Sequence, residues 1–107
     1  MTKSFSKDKR VVSTKIRKFA KGRACSIRIP GVCNGNPETT VWCHAPGGGM
    51  GAKQSDELGA FGCSSCHDAI DGRIPVDLRK QSVSLYFWEG HAESLKILRQ
   101  NNLVTFA

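Results

Sequence analysis

Cys63-Ser64-Ser65-Cys66-His67 is the stretch on which the reading of this chain turns. Its C-x-x-C spacing presents two thiols from a single turn, and Cys25 and Cys33 upstream present two more. Two such pairs can close the tetrahedral four-thiolate shell that zinc takes in structural sites. Cys25-x7-Cys33 is wider than the usual knuckle spacing, which leaves Cys43 as an alternative member of that pair. A redox C-x-x-C would need a thioredoxin-like βαβ setting, which this short chain does not offer. A metal staple also answers a size problem, because 107 residues rich in glycine build only a small core.

Charge is concentrated at one end. Lys3, Lys7, Lys9, Arg10, Lys15, Arg17, Lys18, Lys21, Arg23 and Arg28 face the single acid Asp8, whereas the rest of the chain is nearly balanced. A basic arm on a near-neutral module is the layout of a polyanion binder, since each cation set against a phosphate releases condensed counterions. Lys15, Arg17, Lys18, Lys21, Arg23 and, further on, Lys53 are the candidate DNA contacts. The first ten residues are polar and basic with no apolar run behind them, and no window is long and apolar enough for a membrane span. We therefore expect a cytoplasmic protein with reduced thiols, no membrane partner, and a monomeric or weakly dimeric state.

Residues 1–12 read as a flexible basic arm, and 13–107 as one domain. Within it Ile16, Phe19 and Ala20 follow helical spacing up to Gly22. Ser26-Ile27-Arg28-Ile29 alternates as a strand does, and Pro30-Gly31 and Asn34-Gly35-Asn36-Pro37 supply turns. Thr39-Thr40-Val41-Trp42 reads as a second strand that delivers His44, with Trp42 and His44 on one face and Val41 and Cys43 on the other. Residues 45–57 are too glycine-rich for a regular element. A brief strand over 58–62 leads to a helix capped by Ser64 or Ser65 that runs through His67 to Asp71. From Asp77 to about Asn102 a long helix is expected, with Gly90 as a point of interruption.

Two histidines stand out against this frame. His67 and Asp71 are one helical turn apart and can share a divalent cation. His44 ends a strand beside a flexible loop, and imidazole is the side chain that exchanges protons near neutral pH. A base for water plus a cation for the developing charge are the parts of a one-metal phosphodiester hydrolase. His91, within an apolar helix, reads as structural. Gly47-Gly48-Gly49-Met50-Gly51-Ala52-Lys53-Gln54 is not a phosphate-binding P-loop, because neither the glycine spacing nor the residue after the lysine fits.

Trp42-Cys43-His44-Ala45-Pro46-Gly47-Gly48-Gly49 followed by Cys63-Ser64-Ser65-Cys66-His67 resembles the His-Me finger (HNH, ββα-metal) nucleases. The wider span, Gly22 to Thr39 together with Cys63 to Arg73, is similar to the YbcO family of prophage proteins, itself similar to the phage recombination-associated nuclease Ref. The resemblance implies an α+β, zinc-stapled ββα-metal domain with a C-terminal helix over 77–102. It also implies His44 as general base, His67 with Asp71 as ligands of a catalytic Mg²⁺ or Mn²⁺, and Cys25, Cys33, Cys63 and Cys66 as ligands of structural Zn²⁺. Two positions depart from the pattern. Cys43 stands where an acid or histidine often precedes the base, and no asparagine lies between His44 and Cys63. Asp56 lies in that interval and is assigned no role.

The function expected is metal-dependent DNA cleavage in phage or prophage recombination. A zinc-dependent nucleic-acid-binding protein without catalysis, or an accessory protein of a host recombinase, would use the same charges and the same staple.

Overall fold

The computed structural model describes residues 13–45, 56–74 and 80–104. The 1–12 arm, Lys53, Asp77 and the glycine-rich stretch lie outside them. Helix α1 (Thr14–Ala20) opens on Ser13, whose hydroxyl accepts from the Ile16 N–H at 3.2 Å. It ends where Gly22 turns to φ +84°, a conformation that glycine adopts without a Cβ penalty. A single 3-10 turn, Pro37–Thr39, then leads into β1 (Val41–His44). Thr39 and Thr40 therefore precede the strand instead of opening it: the Asn36 side chain accepts from the Glu38 N–H and caps a helical turn ahead of Val41.

β1 pairs antiparallel with β2 (Gly59–Gly62), in the register Val41 to Gly62, Trp42 to Phe61, Cys43 to Ala60 and His44 to Gly59. Because side chains alternate across a strand, this two-stranded sheet has two apolar faces. Trp42 and Phe61 pack edge to face at 5.4 Å and meet Ile16 and Ala20 of α1. Cys43 and Ala60 face the other way, onto Cys25, Ile27, Ile29, Cys63 and Cys66. The alternation expected for Trp42 and Cys43 is thus what sorts the two halves of the core. Gly59 is required beneath Trp42, since a Cβ there would overlap the indole.

Helix α2 (Ser64–Ile70) follows directly and completes a strand, strand, helix order. Its N-cap is Cys63, not Ser64 or Ser65: the Cys63 sulfur accepts from the Cys66 N–H at 3.4 Å, so one atom both caps the helix and joins the thiol cluster. Gly72 at φ +76° ends it in a Schellman turn, with Gly72 N–H on the Ala69 carbonyl and Arg73 N–H on that of Asp68. Helix α3 (Lys80–Gln100) is continuous and lies across β2, with Phe87 in one apolar cluster and Leu98 in the other. Gly90 does not interrupt it. A Cβ there would sit 2.9 Å from the Ser26 carbonyl oxygen and 3.0 Å from the Ile27 backbone, so glycine is what lets this segment lie on the helix. Ser94, fully buried, accepts from the Phe61 N–H and donates to the Gly90 carbonyl.

The strand expected over Ser26–Ile29 does not form. Ile27 and Ile29 are buried and Arg28 is exposed, as alternation implies, but Arg28 sits at φ +52°. The N–H groups of Arg28 and Ile29 donate to the sulfurs of Cys25 and Cys66 at 3.4 Å, where a strand would have given them to a neighbour. The sulfur cluster bends this segment.

Candidate active site and four-thiol cluster

The Cys25–Cys33 segment and the start of α2 bring the thiols together. The Sγ atoms of Cys25, Cys33, Cys63 and Cys66 all lie within 4.8 Å of one another, and those of Cys33 and Cys63 are 3.8 Å apart. Backbone N–H groups aim at the sulfurs: Arg28 at Cys25, Ile29 and Asn34 at Cys66 and Cys63 respectively, and Cys66 itself at Cys63. Donors around sulfur stabilise thiolates, which are the form that binds zinc. The crowding is visible in the protons too. Hydrogen bonding from Cys66 draws the Cys25 thiol down to about 4, while that same bond pushes the Cys66 thiol up. The donor set, its convergence and its N–H surroundings fit a structural Zn²⁺. Cys43 is not part of it. Its sulfur is buried in the same apolar cluster but does not converge with the four; it lies 3.8 Å from the His44 carbonyl oxygen, and burial raises its pKa.

On the opposite face, His44 closes β1 with its ring about three-quarters buried. Its Nε2 is 2.6 Å from Oδ1 of Asp56, a carboxylate with no solvent exposure. Three further donations hold that carboxylate: the Ser13 N–H at 2.5 Å, Arg17 Nε at 3.0 Å and Arg17 Nη2 at 2.9 Å. The Asp56 main chain is fixed as well, its carbonyl accepting from the Trp42 indole at 2.7 Å. Burial pushes the Asp56 carboxyl upward, but the Arg17 guanidinium, the Ser13 N–H and His44 outweigh it and hold it at about 2. An ionised carboxylate only accepts, so Nε2 of His44 carries the hydrogen, and Nδ1 is the nitrogen left to act as a base.

Asp56 was the residue that sequence reasoning passed over. A signal was present, because a hairpin that starts its return at Gly59 brings residues just before Gly59 next to those just after His44. That signal depends on register, which only the pairing fixes.

The other expected residues divide. His67 Nε2 lies 3.4 Å from Asp71 Oδ2 on α2, both partly exposed, and Arg73 also approaches that carboxylate at 3.5 Å. No contact joins this pair to His44 among the described residues: Asp56 holds His44 from the α1 side, while α2 packs Cys66, Ala69 and Ile70 against Cys43. Among the described residues the four cysteines are the group of three or more ligands that converges; His67 and Asp71 form a pair. Of the expected DNA contacts, Lys15, Lys18, Lys21 and Arg23 are exposed on or just beyond α1, with Arg23 stacked over Phe19 at 4.3 Å. Arg17 turns inward to Asp56. His91 donates through Nδ1 to the Gly59 carbonyl at 2.7 Å, which fits the structural reading of it. Among the described residues no helix is long and apolar enough to cross a membrane.

Strand, strand and helix around a four-thiol cluster, with a long helix packed behind, define a small α+β domain of a recognisable kind. The family described as "Putative nuclease YbcO" matches residues 14–103, and the chain belongs to that family. Proteins of that description from Escherichia coli strain K12 and from Enterobacteria phage 82 are each 52% identical to it over 61 residues. The match takes in 54% of this chain and 64% of each of theirs, so the chain spans under two thirds of the length of the curated relatives it matches. A solved structure described as "a putative bacteriophage protein from Escherichia coli str. K-12 substr. MG1655" superposes with a TM-score of 0.69 at 38% identity, covering 82% of this chain and all of that one.

Proposed function

We propose that this protein is a metal-dependent DNA endonuclease with His44 as its general base. The observation that carries the reading is the 2.6 Å contact between His44 Nε2 and a buried carboxylate that is itself locked by Arg17 and Ser13. A histidine with one nitrogen fixed on an ionised acid is oriented, confined to one tautomer and able to carry the charge it gains on accepting a proton. Nδ1 takes the proton from the attacking water, and Asp56 stabilises the resulting imidazolium. Asp56 stays ionised throughout because Arg17 remains beside it.

His67 and Asp71 are the residues that would hold Mg²⁺ or Mn²⁺. A hard cation accepts imidazole and carboxylate donors and completes its shell from water and substrate oxygens. When bound, it supplies charge stabilisation for the pentacovalent phosphorus and the leaving oxygen. Lys15, Lys18, Lys21 and Arg23 hold flanking phosphates, and the Zn²⁺ of the cysteine cluster keeps α2 on the hairpin. In this reading Arg17 is an organiser of the base more than a phosphate contact. The setting is recombination of phage DNA in the host cytoplasm, with a host recombinase as a further partner.

Two observations favour a reading without cleavage: Arg73 competes for Asp71, and the described ligand pair lacks a third protein donor. Incubation of supercoiled plasmid with Mg²⁺ or Mn²⁺ separates the two readings. The nuclease nicks it, and His44→Ala binds the DNA equally well while losing nicking by at least about 100-fold. Binding without nicking by either protein assigns the chain to non-catalytic DNA recognition, and co-purification with a recombinase filament assigns it an accessory role.

A further inference from the structure

The cleft beside His44 has chemistry that the general base does not account for. It lies between α1 and the edge of β1 that is unpaired among the described residues, with a volume of about 340 Å³, at the lower end of the range for small-ligand pockets. Arg17 and Lys21, one helical turn apart, supply its cationic wall. Arg17 gives Nε and Nη2 to Asp56, while Nη1 has no acceptor among the described residues, and Lys21 has no ion pair there. Glu38, from the 3-10 turn, adds a carboxylate on a different wall. Val41 contributes an aliphatic surface that is 42% exposed. Thr40 is 1% exposed and also lines the cleft, and its hydroxyl is one of two buried side-chain oxygens without a partner among the described residues.

We infer that this cleft seats one nucleotide of the bound strand, immediately next to the phosphate that His44 addresses. The phosphate of that nucleotide lies on Lys21 and Arg17 Nη1, its sugar and base lie along Val41, and the Thr40 hydroxyl gains the partner it lacks. Glu38 repels phosphate, so the nucleotide enters in one orientation, with its anionic end toward α1. This is a position for a strand, not for a free nucleotide: the site has a single cationic wall and an open sheet edge along which a backbone can continue. The inference rests on the reading of His44 as a base acting on a strand, and it adds where the neighbouring nucleotide sits.

The test uses the full zinc-loaded chain without Mg²⁺, so that binding is read apart from cleavage. Thymidine 5′-monophosphate, thymidine, inorganic phosphate and the 5′-phosphorylated thymidine trinucleotide are titrated while backbone amide resonances are followed by NMR. We expect saturable shifts at Lys21, Thr40 and Val41 with the monophosphate, none with thymidine, and at least tenfold tighter binding of the trinucleotide. Lys21→Ala weakens monophosphate binding at least fivefold, Lys21→Arg restores it, and Lys96→Ala, on exposed α3 surface, leaves it unchanged. Shifts spread evenly over α1, equal losses for Lys21→Ala and Lys96→Ala, or a monophosphate as tight as the trinucleotide would each overturn the assignment. Binding as expected by a protein that does not nick plasmid removes the catalytic reading and leaves the nucleotide seat. Nicking by a protein that fails the titration does the reverse.

Discussion

Asp56 is subject to two opposed forces whose balance can be measured. Complete burial disfavours its charge, while two nitrogens of Arg17 and the Ser13 N–H favour it, and the second group wins by holding the carboxyl at about 2 against an ordinary 3.8. A depressed folded-state pKa contributes stability that is present above the unfolded value and is lost as pH falls through the folded one. At about 1.4 kcal/mol per pKa unit, the wild type should therefore lose about 2 kcal/mol between pH 5 and pH 2 from this group. Asp56→Asn should be less stable at pH 7 and should show a flatter acid limb in urea-unfolding midpoints measured across that range. His44 was legible as a candidate because a strand ending in histidine beside glycine-rich sequence is a local pattern. Asp56 was not, because its partnership with Arg17, 39 residues away, exists only once α1 lies against the hairpin.

At the scale of elements, the sequence periodicities located α1, the hairpin, α2 and α3, and they failed where sulfur replaced a backbone partner. Ser26–Ile29 has the alternation of a strand, and its isoleucines are buried as that pattern demands, yet its N–H groups go to thiols. Cys63 displaced the two serines as the cap of α2 for the same reason. Gly90 was legible as unusual but not as a contact, since propensity scales record only its cost in a helix. Gly90→Ala isolates the difference. Helix propensity alone would stabilise the protein by about 1 kcal/mol, but the added methyl meets the backbone of Ser26 and Ile27 at 2.9 to 3.0 Å. Backbone cannot step aside cheaply, so the substitution should destabilise by about 1 to 3 kcal/mol in chemical denaturation. A gain in stability would mean that this packing is looser than described.

For the whole molecule, the thiol cluster ties the Cys25–Cys33 segment to the start of α2, while α3 bridges both apolar faces of a sheet of only two strands. A sheet so small has little stability alone, so a metal held by the four thiols would act as a folding partner. Purified protein should hold one zinc per chain. A strong chelator should unfold it cooperatively by circular dichroism, Cys63→Ser should lose the metal, and Cys43→Ser should keep it. The Cys63 and Cys66 pair was legible from spacing, whereas the choice of Cys25 and Cys33 over Cys43 required the folded positions of the sulfurs. The catalytic account depends on the imidazole of His44 acting as a base, and chemical rescue tests that most directly. In Mg²⁺ or Mn²⁺, zinc-loaded His44→Ala should fail to nick supercoiled plasmid and should recover nicking as imidazole is added, with wild type unaffected by it. Nicking by the variant at the wild-type rate without imidazole, or no nicking by the wild type at all, would contradict the account.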